Sequence, residues 1–191
     1  ICRYTGCAQR YLAGDAMAGI LQAAPALDAE HGTECAARAQ AYYEHIRAAD
    51  LSVGIAMTDA KGDRSKRPHA QANPDAYVRI VERRADGIVI SGAKAIVTGG
   101  PYMHELLVMP CRAMSEADAD YAVCCAVPVD APGLTQVARP AGRPGEAAAS
   151  FSNRYGQSTS VCLFDRVFVP WERVFLAGEW RHSAALTYAY A

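Results

Sequence analysis

The run Ile90-Ser91-Gly92-Ala93-Lys94-Ala95-Ile96-Val97-Thr98-Gly99 decides how the rest of the chain is read. It is rich in β-branched residues, carries one glycine inside, and is stopped by Gly99-Gly100-Pro101. Its length and composition predict a strand. Upstream, Ala85-Asp86-Gly87 separates it from a second Val/Ile-bearing run at 76–83, and Asp-Gly suits the positive φ of a tight turn, so the two form a predicted hairpin. Working outward, short strands are expected at 53–57, 105–109, 121–127, 134–138 and 160–169, punctuated by Gly, Pro and Asp. Residues 142–156 read as a long surface loop.

The flanks have a different texture. Cys35, Ala39, Tyr42, Tyr43, Ile46 and Ala49 recur at the 3–4 spacing of one helical face over 33–51, with Thr33 as N-cap. A shorter helix is predicted over 15–24, stopped by Pro25. Residues 178–191 return to helix-compatible composition. The expected fold class is α+β: N-terminal helices, a small antiparallel β-barrel or sandwich, and the start of a further helical part, with outer helices packed together. The expected divisions are 1–51, 52–178 and 179–191, and the ends at Ile1 and Ala191 are those expected of a piece of a longer chain.

Composition excludes several classes. The chain has 191 residues, 51% hydrophobic and 20% charged, as in an ordinary globular protein. A net charge of −1, with basic residues scattered apart from Arg64, Lys66 and Arg67, implies no general attraction to nucleic acid or anionic membrane. No apolar run approaches the ~18 residues of a membrane span. Seven cysteines, irregularly spaced and without CxxC, fit neither a disulfide framework nor a closed zinc site, so reduced thiols in a cytoplasmic protein are expected. His31, His45, His69, His104 and His182 are too dispersed along the chain to suggest a metal set. G-x-S-x-G, P-loop and G-x-G-x-x-G patterns do not occur.

Two further motifs accompany the first: Ile55-Ala56-Met57-Thr58-Asp59-Ala60-Lys61-Gly62-Asp63-Arg64 and Phe164-Asp165-Arg166-Val167-Phe168-Val169-Pro170-Trp171-Glu172-Arg173-Val174. Taken in order, the three resemble the middle β domain of the acyl-CoA dehydrogenase superfamily, over roughly 51–179. That resemblance implies a bound FAD. An isoalloxazine ring needs an apolar wall and a few placed donors along its polar edge. By position in the family motifs, Thr58 and Thr98 would supply those donors. Met57, Asp59, Lys61, Gly62, Asp63, Ile96 and Val97 would complete the cofactor set, with glycines 62, 99 and 100 letting backbone approach. Asp59, Asp63 and Arg64 read equally well as ribityl- or pyrophosphate-positioning groups and as turn formers.

Within the superfamily, "AMTDAKGDR", "PDAYVRIVERRADGIVISGAKA" and "HELLVMPCRAMSEADADYAVCCAVPVDAPGL" are similar to the 4-hydroxybutyryl-CoA dehydratases. The 4-hydroxyphenylacetate 3-monooxygenases are the next resemblance. Ile96 stands where the dehydratases carry histidine. Their iron–sulfur ligand stretch C-x-Q-R-C reads Cys7-Ala8-Gln9-Arg10-Tyr11 here, so Cys7 is kept and Tyr11 replaces a thiolate. Phenolate is a poor substitute on a cluster that cysteine sulfur holds, and a [4Fe–4S] centre is therefore not expected. The resemblance further implies a short acyl-CoA or a phenol as substrate, a flavin reductase as partner in the second case, and a homo-oligomer, commonly a tetramer. No catalytic base is identified. A flavin-free β domain that serves oligomer contacts is the reading from another class.

Overall fold

The computed structural model describes residues 8–140, 142, 145, 153 and 156–190. The loop expected at 142–156 and Cys7 therefore lie largely or wholly outside the described residues. Three α-helices are described: α1 (Ala8–His31), α2 (Cys35–Ala48) and α3 (Ser183–Tyr190). Between α2 and α3 run eight strands: β1 (Val53–Ala56), β2 (Arg79–Arg83), β3 (Gly87–Thr98), β4 (Glu105–Val108), β5 (Val123–Pro128), β6 (Leu134–Arg139), β7 (Thr159–Pro170) and β8 (Val174–Ala177).

The strands form two four-stranded sheets, ordered β1-β4-β5-β8 and β2-β3-β7-β6. The barrel expectation is corrected by this order: each sheet keeps two edge strands, and β1 pairs with β4 in parallel. Closure is unnecessary because the first sheet is covered on both faces. Leu106, Val108, Val123, Cys125, Val127 and Val174 face the second sheet. Val53, Leu107, Cys124, Ala126, Phe175 and Leu176 face the helices. The layers are thus helices, sheet, sheet. A strand buried on both sides reads as an unbroken apolar run, which is what 105–109 and 121–127 show. The second sheet has a solvent face, so β7 alternates, with Cys162, Phe164, Val167 and Val169 inward and Leu163 and Phe168 outward.

The hairpin β2–β3 forms as expected, but Gly87 serves another purpose than positive φ. A Cβ there would stand 2.2 Å from the Val169 carbonyl oxygen, so glycine is required by the close approach of β7. β8 was not foreseen; it is only four residues long and follows a single helical turn at Trp171–Arg173. Pro25 does not end the first helix, which runs through it. An interior proline costs a helix about 3 kcal/mol. Against that cost stands a continuous buried stripe of Ala13, Ala16, Met17, Ile20, Ala24 and Leu27, in which burying Leu27 alone returns about 2 kcal/mol.

α2 begins at Cys35 rather than at a Thr33 cap, and its cap comes from α1. Asp28 accepts hydrogen bonds from the Cys35 and Ala36 amides and from the Thr33 hydroxyl. Desolvation opposes ionisation of Asp28, but these donors win and hold its carboxyl below the ordinary range. α1 also meets α3 closely: a Cβ on Gly19 would lie 3.2 Å from that of Ala189. Among the described residues five cysteines are free, and burial pushes the Cys125 thiol up to about 12. No described helix is long and apolar enough to cross a membrane.

Candidate functional site

The ends of β1 and β3 come from different sheets and meet at one place. β1 stops at Ala56, and Met57-Thr58-Asp59 turns beside β3, where the Ala95 amide donates to the Thr58 carbonyl (2.9 Å) and Asp59 bridges to Lys94. Lys94 sits beneath this turn with its side chain 4% exposed. Its ammonium has three donors, and all three are used: Met57 carbonyl at 2.8 Å, Met109 carbonyl at 2.8 Å and Asp59 Oδ1 at 2.7 Å. Asp59 Oδ2 faces Arg112 at 3.3 Å, and Arg112 lies over the Tyr77 ring. A buried charge is tolerated when paired and fully hydrogen-bonded. This one fastens motif one, β3 and the end of β4 together.

Above the clamp lies an open groove of about 130 Å³ lined by Leu12, Val53, Gly54, Ile55, Met57, Thr58, Ile96 and Thr98. Leu12, Val53, Ile55, Met57 and Ile96 give it apolar side chains. Thr58 and Thr98 are exposed, and among the described residues neither hydroxyl has a hydrogen-bond partner. Ile96, at the end of β3, is 59% exposed.

Four of the nine residues assigned to a cofactor from the sequence are gathered here: Met57, Thr58, Ile96 and Thr98. Asp59 lies under the groove in the Lys94 clamp. Val97 points into the core between the sheets at 1% exposure. Lys61, Gly62 and Asp63 belong to a loop that holds itself. Asp63 accepts from the Ser65 amide and hydroxyl, and Gln71 donates to the Asp63 and Lys66 carbonyls. A Cβ on Gly62 would meet Gln71 Oε1 at 2.5 Å, and one on Gly100 would meet Ser160 Oγ at 2.2 Å. For both glycines, the close neighbours are protein.

Lys94 was quoted within its motif but given no role. Its signal was a lysine flanked by Ala93 and Ala95 in the middle of an apolar strand, where a cation needs a partner. Leu12 and Gly54 were also missed, the first because its helix was expected to begin later. His104 is a backbone partner, its Nδ1 accepting from the Ser52 amide. Trp171 donates to the Arg84 and Ala85 carbonyls and carries Arg38 on its ring.

The loop after motif one is latched at its far end. Asp118, wholly buried, accepts from Arg67 Nε, the His69 amide and ring, and the Ser115 amide and hydroxyl. Desolvation raises the cost of its charge, and these donors more than offset that, holding the carboxyl well below the usual carboxylate range.

The family described as 4-hydroxyphenylacetate 3-hydroxylase N terminal matches residues 1–176. The 4-hydroxybutyryl-CoA dehydratase/vinylacetyl-CoA-Δ-isomerase of Clostridium aminobutyricum is 39% identical over 191 residues, covering 97% of this chain and 39% of that protein. An oxygen-tolerant archaeal 4-hydroxybutyryl-CoA dehydratase from N. maritimus superposes with a TM-score of 0.88 at 34% identity, covering 97% of this chain and 38% of that one. The oxygenase component of 4-hydroxyphenylacetate 3-monooxygenase, solved in complex with FAD, gives a TM-score of 0.75 at 29% identity over 98% of this chain and 40% of that one. The chain spans about two fifths of the length of these relatives. On the family match and the dehydratase likeness together, the chain belongs to the 4-hydroxyphenylacetate 3-hydroxylase N-terminal family.

Proposed function

We propose that this chain supplies the flavin-facing wall of an FAD-dependent enzyme that acts on a short acyl-CoA in the manner of the 4-hydroxybutyryl-CoA dehydratases. The observation that carries the reading is the groove itself: apolar side chains beside two exposed hydroxyls that have no partner among the described residues, on turns held by Lys94. The donor set fits a flavin. Leu12, Ile55, Met57 and Ile96 would take the plate, and Thr58 and Thr98 would donate to its polar edge. Gly62, Lys61 and Asp63 would act from the adjoining loop, toward the rest of the cofactor, and Asp59 and Val97 through the frame beneath. Residues 52–178, with Leu12 added from α1, would be the unit that holds it. A bound flavin supplies the means to activate a weakly acidic C–H bond for elimination or double-bond migration. What the chain's own residues do is orient that ring and keep its face dry.

The 39% identity to the dehydratase over nearly the whole chain favours this substrate class. Tyr11 at a cluster-ligand position favours an enzyme without an intact [4Fe–4S] centre, Cys7 being the one candidate ligand kept in this segment, and Ile96 stands where the dehydratases carry histidine. Tyr11 and Ile96 support a second reading: a two-component aromatic hydroxylase served by a flavin reductase. Protein of natural length, purified anaerobically with iron supplied, is expected to be yellow with FAD, to hold well under one cluster per chain, and to convert 4-hydroxybutyryl-CoA. Hydroxylation of 4-hydroxyphenylacetate by the protein with reduced flavin and oxygen, and no turnover of the thioester, would establish the second reading. Four irons per chain that vanish on Cys7→Ala would show that another group completes the cluster.

A further inference from the structure

Although the five histidines are scattered in sequence, two of them meet in space. α1 ends with Glu30 and His31, and His182 lies on the short turn that leads into α3. His182 Nε2 is 3.0 Å from Glu30 Oε2, His31 Nε2 is 3.7 Å from Glu30 Oε1, and the three ligand atoms all lie within 4.8 Å of one another. The two imidazoles stand edge to face with centroids 5.4 Å apart. We propose that Glu30, His31 and His182 form a binding site for a divalent transition cation, zinc(II) being the expected occupant, which ties the end of α1 to the start of α3.

The geometry suits that ion. Zinc bonds of 2.0–2.1 Å in a tetrahedron separate ligand atoms by about 3.3 Å; the two imidazole–carboxylate contacts here are 3.0 and 3.7 Å and the whole set lies within 4.8 Å, so side-chain rotations bring the ligands to that spacing. Two imidazoles and one carboxylate match zinc, cobalt(II) and nickel(II), whereas magnesium and calcium take oxygen ligands. Glu30 and His31 sit at the C-terminal end of a 24-residue helix, whose dipole favours a cation there. Anchoring is provided by His182, only 12% exposed, while Glu30 at 45% and His31 at 35% leave a fourth position open to water. Among the described residues one competitor is present: Arg181 approaches Glu30 Oε1 at 3.7 Å, but its side chain is 68% exposed and also lies over the Trp180 ring, which can hold it without Glu30. This site and the groove at Leu12 lie at opposite ends of α1, about 27 Å apart along its axis, so the metal serves to staple the helices and takes no part in the groove. Binding to the folded state alone raises its stability.

The test uses protein of natural length, stripped of loosely held metal and dialysed against buffered micromolar zinc(II), with bound zinc measured by mass spectrometry and unfolding followed thermally. Wild type is expected to retain one zinc per chain more than His31→Ala, His182→Ala or Glu30→Gln, and zinc is expected to raise the melting temperature of wild type only. Magnesium and calcium should leave it unchanged. His182→Gln keeps a donor for Glu30 while removing the imidazole, so it should melt like metal-free wild type and lose the zinc. Equal zinc content in wild type and His182→Gln, or equal thermal shifts in all variants, would overturn the site.

Discussion

The two sheets are built from strands of similar composition, yet they carry different burdens. The β1-β4-β5-β8 sheet is buried on both faces, between helices and its partner sheet. The β2-β3-β7-β6 sheet is buried on one face and spends the other on solvent, with Val137 58% and Leu163 43% exposed. The first supplies cohesion. The second supplies long strands whose ends reach past the core, and the groove sits where the end of β3 overhangs edge strand β1. The contrast teaches that the site needs both: a rigid floor from the dry sheet and projecting polar ends from the wet one, joined by Lys94.

The largest expected effect comes from cutting that joint. Lys94→Met leaves the Asp59 carboxylate buried beside Arg112 alone, and breaking a buried pair in this way costs about 3–5 kcal/mol. Urea unfolding should show the loss, and FAD binding should fall with it because the Met57–Asp59 turn is released. Next comes the contrast between sheets. Phe175→Ala, in a side chain 1% exposed, should cost about 3–5 kcal/mol. Val137→Thr on the open face should stay within about 0.5 kcal/mol. Equal costs would break the distinction between a dry and a wet sheet.

Acid sharpens the same point for the connecting loops. Asp28 and Asp118 both titrate below their ordinary 3.8 in the folded protein. Depressed carboxyls contribute stability that is present above that value and is lost as pH falls through it toward the folded values. Stability should therefore drop below about pH 4. Asp118→Asn should remove about 3 kcal/mol at neutral pH and flatten the acid limb. An unchanged acid limb in that variant would dissociate the Arg67–His69 latch from acid unfolding.

Much of this was legible in the chain. The alternation or continuity of apolar residues located β1 to β7, because burial on one face or two leaves its own pattern. Pro25 misled, since the rule against interior proline is local while the stripe from Ala13 to Leu27 is paid back by tertiary contact. β8 was too short to stand out beside Trp171. For the site, the family resemblance pointed to Met57, Thr58, Ile96 and Thr98, and the structure brings these four to one groove. Lys94 escaped because its three acceptors are two carbonyls and a carboxylate from other segments, and carbonyls leave no trace in a sequence. Glu30, His31 and His182 escaped for the same reason: α1 and α3 had to pack before they could meet.

A small effect is the most direct test of the central claim, that Thr58 and Thr98 face the polar edge of a flavin. Thr58→Val and Thr98→Val keep shape and remove one donor each, which costs about 0.5–1.5 kcal/mol, or ~2- to 13-fold in FAD affinity. Titration of FAD into protein of natural length should show that weakening in each variant, with a shifted flavin absorption band and an unchanged urea midpoint. Unchanged affinity and an unchanged spectrum in both variants would contradict the account.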